Sequence, residues 1–558
     1  MRHGALALIL VAGCANAPRV QPAPQREPSA GTAHDHEPRA QEARLFEDLG
    51  DHHRSIVTRS PEAQRFFDQG LRLAFAFNHE EAQRSFEEAA RRDPSCGACY
   101  WGAAMVLGPN YNQSAAPERA RSALALLAKA RAAPDASPVE RALIAALQQR
   151  YADPPPAADD RKGQAALDEA YANAMRDVAR RYPDDDDVQV LFAESMMDLR
   201  PWRLWEPDGT PAPGTAETVA ALERVLARSP NHPGANHFYI HAVEASPHPE
   251  KALGAADRVG ALMPGAGHLV HMPSHVYQRV GRYNEAAEAN RRAIAADRAY
   301  TGAVADPGYY AMYVAHNFQF LWASALMAGR GEESLQAARE MLKLVPAEMW
   351  KQMPAVSFSI EAPALTLVRF GRWAEALREP PPPAELPMPA ILHHYARARA
   401  QAGLGNFGDA EREIAALRKA AAMLPSDAAA GFAPGELYVR IAADLARGDL
   451  LCRRGKRSDG LLLLRAAVKS ADALPYDEPP DWYYPPRQTL GAWLLRAKQP
   501  AEAEKVFSAD LERNPDNGWS LTGLREALRA QKKRITEVEA RLARAWSSAD
   551  VDVASSDF

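Results

Sequence analysis

Small and apolar positions recur along this chain in a frame of 34 residues. Residues 63–96 carry Gly70, Ala82, Phe86, Ala89 and Pro94, at frame positions 8, 20, 24, 27 and 32. Small residues at 8 and 20 let the two helices of a pair approach closely. An aromatic at 24 fills the gap to the next pair, and Pro at 32 ends the second helix because it cannot continue one. The frame returns with Ala252 and Pro264 in residues 233–266, Ala286 and Ala293 in 267–300, and Ser334 and Pro346 in 315–348. It returns again with Ala376 in 357–390, Ala410 in 391–424, and Ala503, Phe507 and Pro515 in 484–517, while Gly460 anchors a looser copy in 441–474. Ala376 and Ala410 each stand behind a short turn, Gly371-Arg-Trp373 and Gly405-Asn-Phe407. The pattern predicts roughly nine or ten helix pairs, some in 97–230 with insertions.

Three segments interrupt the frame: Arg200 to Thr215; Tyr300 to Val314, which holds Tyr309, Tyr310 and Tyr313; and the Pro- and aromatic-rich run Glu478 to Arg487. Loops inside a regular array either carry function or cap exposed edges.

The small, aromatic and Pro spacings resemble the tetratricopeptide superfamily over most of residues 60–545. The resemblance implies an all-α fold, a right-handed superhelical solenoid of antiparallel helix pairs with loop insertions. It also implies that positions 2, 5, 9 and 12 of the first helix in each pair line a concave groove, where a peptide or an envelope protein could dock. Ser60-Pro-Glu-Ala-Gln64, Tyr100-Trp-Gly102, Asn231 to His237, His271 to His275 and Asn517-Gly-Trp-Ser520 resemble exported bacterial tetratricopeptide lipoproteins. That likeness implies architecture and supplies no activity.

The first residues point outside the cytoplasm. Arg2, the apolar run Ala5 to Ala12 and then Val11-Ala12-Gly13-Cys14 resemble a lipobox, with Cys14 as the lipidated residue. An ordinary secretory signal peptide with a chance Cys is the alternative. Either way the expected location is the bacterial cell envelope, with a lipid anchor on the periplasmic or outer-membrane face. The expected organisation is a signal segment 1–14, a Pro-, Ala- and Gln-rich tether 15–45, N-terminal repeats with insertions 46–230, His-rich central repeats 231–348, C-terminal repeats 349–546 and a tail 547–558. Cys96 and Cys99 form Cys-Gly-Ala-Cys, a possible disulfide in an oxidising compartment. Tyr100 follows the second Cys, where a c-type haem site needs His.

Bulk properties narrow the classes. The chain has 558 residues, 47% hydrophobic, and a net charge of −5. It has no basic stripe, so nucleic acid is not an expected partner. Mean hydropathy is −0.37, and no run after the signal reaches the ~18 apolar residues that span a bilayer. The chain holds no phosphate-binding Gly-rich loop, no Gly-x-Ser-x-Gly and no kinase signature.

The candidate chemistry is histidine. His237, His241 and Glu244 stand at i, i+4 and i+7, and His268, His271 and His275 at i, i+3 and i+7, so each trio shares a helix face. His271 follows His237 by 34 residues, and His275 follows His241 by 34, one repeat length. The pairs fall at positions 5 and 9 of successive first helices, His268 and His316 at position 2 and Glu244 at position 12. Packed helices lie about 8–10 Å apart, close enough for these imidazoles to meet at a metal ion, which needs nitrogens at about 2.0–2.1 Å. A transition metal is the expected cofactor, copper, zinc or iron among others. Glu194 extends the row if Ala193 is a position 8. Tyr239, Tyr277 and Tyr310 are candidate groove residues. The segment lacks His-Glu-x-x-His, so it is not a zincin. Whether such a site binds, catalyses or is replaced by a metal-free peptide groove stays open at this level. Ligating His must be neutral, so metal release is expected as pH falls through about 6.

Overall fold

The computed structural model describes residues 43–558 apart from 115, 305–307, 552 and 554. Cys14, the signal segment and almost all of the tether lie outside the described residues. Nearly every described element is helical, and the one small sheet pairs Ala429–Ala430 with Ala433–Pro434. No described helix is long and apolar enough to cross a membrane. The residues gather into two compact units, which cut across the repeat-based division at 230 and 348. The smaller holds residues 43–201 and Arg298–Tyr310, and the larger holds Trp202–Asp297 and Ala311–Phe558.

In the smaller unit the chain folds as helix pairs from α1 (Pro61–Phe75) and α2 (His79–Arg92), through α3 (Gly97–Met105), α4 (Pro117–Ala132), α5 (Pro138–Leu147) and α6 (Arg161–Arg181), to α7 (Asp186–Met197). Local chemistry sets the starts. The Ser60 hydroxyl accepts from the Ala63 amide and Pro61 sits in the first turn of α1, where its missing N–H costs nothing. Phe86 of α2 is fully buried between α1 and α3. A Cβ on Gly70 would come within 2.7 Å of its ring, and one on Gly102 closer still. The aromatic plug therefore requires glycine on both sides. Emptying it, Phe86→Ala, removes about 3–5 kcal/mol. Cys96 and Cys99 are joined by a disulfide, with Cα atoms 5.4 Å apart at the start of α3.

The larger unit repeats this construction. It runs α8 (Thr215–Arg228), α9 (Pro233–Val243), α10 (Leu253–Leu262), α11 (Gly267–His271), α12 (Pro273–Arg279), residues 283–297 of α13 (Tyr283–Thr301), α14 (Ala311–Met327) and α15 (Gly331–Leu344). It continues through short α16 (Ala347–Gln352), α17 (Ala362–Arg369) and α18 (Trp373–Ala376). The last pairs are α19 (Pro387–Gly403) with α20 (Phe407–Ala421), α21 (Gly435–Arg453) with α22 (Arg457–Asp472), and α23 (Pro486–Arg496) with α24 (Pro500–Arg513), followed by α25 (Gly518–Ala530) and α26 (Thr536–Ala545). Gly371 and Gly405, 34 residues apart, take φ of +69° and +81° at the turns between paired helices, a conformation that favours glycine. Phe507 plugs between Gly491 and Gly523 as Phe86 does between Gly70 and Gly102. Helices α9 and α11 begin 34 residues apart, at Pro233 and Gly267.

The tail is part of this unit. Ser556 and Asp557 are buried, and the segment lies against α17, α19, α21, α23 and α25. Arg399 donates to both Asp557 carboxylate oxygens at 3.0 and 3.1 Å. Arg369 donates to the Ser556 carbonyl, Arg496 to the Asp557 carbonyl and Arg453 to the Phe558 backbone oxygen. The Arg369 guanidinium also stacks 3.6 Å from the Trp519 ring centre.

Candidate metal centre

Every residue of α9 is buried, so its polar residues enter the core with the helix. The His232 side chain caps it by accepting from the Ala235 amide. It ends at Glu244, whose amide still bonds the Ile240 carbonyl. Arg279 fixes that end by donating to the Glu244 and Ser246 carbonyls at 3.0 Å each. The next first helix is broken rather than continuous. Pro273 has no amide hydrogen, so α11 stops at His271 and α12 starts at Pro273. Met272 keeps right-handed helical angles (φ −51°, ψ −34°), so the path continues and His268, His271 and His275 stay on one face.

The six histidines converge. His237, His241, His268, His271 and His275 are each at most 2% exposed. Three sets of potential ligand atoms lie within 4.8 Å of one another: His237–His241–His268, His271–His275–His316, and His241–Glu244–His275. Nε2 of His268 is 3.1 Å from Nε2 of His237, and Nε2 of His271 is 2.7 Å from Nε2 of His275. Oxygens face the Nδ1 atoms of three of the rings. His241 Nδ1 lies 2.8 Å from Glu244 Oε1, and His275 Nδ1 lies 2.9 Å from Glu244 Oε2. His271 Nδ1 lies 2.7 Å from Asn290 Oδ1, with Ser274 Oγ at 3.3 Å. Asn290 donates its amide to the Ala286 carbonyl, which turns its oxygen toward His271. Glu244 thus orients histidines rather than competing for the same point, the outer-shell role that fixes ring tautomers at metal sites.

Aromatic walls close the cluster. Phe320 packs 4.7 Å from both His271 and His275 and 5.0 Å from His316. Tyr313 lies 4.4 Å from His268 and Trp202 5.8 Å from His241. Burial holds His268 and His271 well below the ordinary imidazole range, helped by the neighbouring rings. Burial also lowers His275, against the pull of Glu244, and takes His316 down to about 3. Burial pushes the Glu244 carboxyl upward, but His241 and His275 outweigh it and keep it below its usual value.

Sequence reasoning did not single out Glu478. It opens the Pro- and aromatic-rich segment between α22 and α23, and its carboxyl contacts His275 Nδ1 directly. Burial, followed by the neighbouring Glu244 charge and a hydrogen bond shared with that carboxyl, raises it well above the ordinary carboxylate range. The only available hint was its place in a loop that breaks the repeat. Trp202 and Tyr313 had the same hint, each lying in a segment that interrupts the repeat, while Asn290 and Phe320 carried no signal, because they face the cluster from helices whose angles the sequence does not specify.

Other expected residues sit elsewhere. The Tyr239 hydroxyl donates to Glu223 at 2.9 Å and the Tyr277 hydroxyl to Asp257 at 2.6 Å. Both reach the second helix of the preceding pair, α8 and α10 respectively, instead of the histidines. Tyr310 belongs to the smaller unit and packs 5.1 Å from Tyr300. It is Tyr313 that meets His268. Glu194 also belongs to the smaller unit, on α7 beside the buried Arg150–Asp198 ion pair of 2.5 Å. Burial and the Asp198 charge push it up to about 8. His393 and His394 pair with Glu361 and Glu413.

No family model and no curated protein matches this sequence. Among solved structures, the human IFIT1 dimer with m7Gppp-AAAA is similar at 13% identity, covering 89% of this chain and 92% of that one, with a TM-score of 0.31. Yeast Tom70 is similar at 12% identity over 87% and 99%, with a TM-score of 0.30. The P58(IPK) TPR domain is similar at 14% identity over 84% and 98%, with a TM-score of 0.22. At such TM-scores the likeness carries no weight for function, and the all-α repeat architecture rests on this chain's own helix pairs.

Proposed function

We propose that this chain is an exported tetratricopeptide-like scaffold whose central repeats bind a transition metal through buried imidazoles. One contact carries the reading. His271 and His275 each direct Nδ1 at an oxygen, on Asn290 and Glu244 respectively, so their neutral rings turn lone pairs toward each other at Nε2, 2.7 Å apart. Facing lone pairs repel each other unless a proton or a metal ion binds there. A shared proton requires one ring to give up its Nδ1–H, and with it the bond to Asn290 or Glu244. A metal ion meets the need, and all-imidazole donors suit copper, zinc or iron. The lipobox-like residues before Cys14 and the Cys96–Cys99 disulfide support a cell-envelope location.

The test is elemental analysis of tag-free protein. Metal near stoichiometric amounts, lost in His241→Ala with His275→Ala, is expected. Metal-free protein that also refuses added copper, zinc and iron would remove the proposal. A second reading, peptide capture without metal, draws on the tail bound along arginines of successive first helices. An acidic, aromatic-ended peptide that binds protein truncated before residue 555, but not the full chain, would favour it.

A further inference from the structure

We infer that the site takes two metal ions, one on His237, His241 and His268 and the other on His271, His275 and His316. This rests on the metal reading above and goes beyond it in number and assignment. The six nitrogens do not form one shell. They fall into two separate sets of three, each within 4.8 Å, joined through the His241–Glu244–His275 set. One ion bonded at about 2.0–2.1 Å holds nitrogens no more than ~4.2 Å apart, so a set within 4.8 Å closes on one ion after side-chain shifts of a few tenths of an ångström, whereas all six nitrogens do not.

The repeat explains why there are two. Each set is an i, i+4 pair at positions 5 and 9 of one first helix, closed by the position-2 histidine of the next. On α9 and α11 these are His237, His241 and then His268. On α11, α12 and α14 they are His271, His275 and then His316. A strict 34-residue copy of His268 would fall at Gly302, and the insertion from Tyr300 to Val314 moves the closing position to His316. The ring geometry repeats as well. Ring centres within the first set lie 4.9, 4.9 and 6.2 Å apart, and within the second 4.7, 5.0 and 6.1 Å. Glu244 serves both sets, one oxygen on His241 and the other on His275. Three protein nitrogens per ion leave a coordination position open on each, as in sites where a metal meets a small ligand. Phe320, Tyr313 and Trp202 pack against the rings of the two sets.

The experiment loads metal-stripped full-length protein with zinc, then separately with copper(II), removes loose ions by gel filtration and measures equivalents per chain. Two equivalents are expected for the native chain. One is expected for His237→Ala with His268→Ala, and one for His316→Ala with His271→Ala. The copper(II) resonance should be broadened or lost by coupling in the native chain and appear as an isolated ion in each variant. A single equivalent in the native chain overturns the two-ion inference and leaves one-ion binding intact. No binding of either metal removes both. Two equivalents retained in both variants overturns the assignment to these residues. A variant that merely misfolds would lose both ions, and the native stoichiometry decides the matter without it.

Discussion

The larger unit buries two polar clusters, and they are built on opposite principles. Around the tail, every buried cation has an anion or a carbonyl. Arg399 meets Asp557 at 3.0 Å and Asp449 at 3.2 Å, and Arg369 meets the Ser556 carbonyl and the Trp519 face. Around Glu244, imidazole nitrogens meet one another instead, His271 with His275 at 2.7 Å and His268 with His237 at 3.1 Å. The first cluster is complete from the chain's own atoms. The second, on the function proposed above, is completed by a bound cation. Buried polarity that closes on itself contributes to the fold. Buried polarity that converges on one sign marks a ligand.

The largest expected effect tests the self-contained cluster. Asp557→Ala leaves Arg399 buried with less compensation and should cost about 3–5 kcal/mol in chemical denaturation. A neutral outcome would erase the contrast, because the tail would then be an ornament. Next comes the converging cluster. Metal at 100 to 1,000 times its Kd should stabilise the larger unit by roughly 3–4 kcal/mol, read as a rise in Tm. The His241→Ala with His275→Ala variant should show no rise, and Asp557→Ala should still show it. Glu244→Gln should weaken metal affinity about 10- to 100-fold without abolishing it, since it orients ligands from outside. Complete loss in a calorimetric titration would make Glu244 a direct ligand.

The smallest effect is the response of the metal-free protein to acid. His268, His271, His275 and His316 are all lowered in the fold. The unfolded chain therefore takes up protons first. Their stability contribution is present above the ordinary imidazole pKa of about 6.5 and is lost as pH falls below it. Glu478, raised by burial, works the other way, because its contribution is lost as pH rises. Glu244 is depressed and matters only at stronger acidity. The net expectation is a falling Tm between pH 7 and 5. A Tm that rose over that interval would show that the carboxyls raised by burial, Glu478 with Glu194, Asp198, Asp477 and Asp481, outweigh the four rings. With metal bound, release should come below the pH of about 6 expected for exposed histidines, because these rings resist protonation.

Much of the site was legible in the repeat. The 34-residue offset placed His237 with His271 and His241 with His275 before any fold was known, and the positions of Phe86 and Phe507 announced the plugs that hold the helix pairs. Periodicity is a local property, set by 3.6 residues per turn and by which residues tolerate close approach, so a sequence carries it directly.

What tertiary structure alone decided is direction and partnership. Which ring nitrogen faces inward depends on Asn290 and Glu244. The pairing of Glu478 with His275 depends on how the segment after α22 folds back. The choice of Tyr313 over Tyr310 depends on an insertion whose path the repeat does not specify, and the tail's place depends on arginines spread from Arg369 to Arg496. These contacts join residues far apart in the chain. Their energy comes from burial and mutual compensation of polar groups, which exist only after the helices have packed.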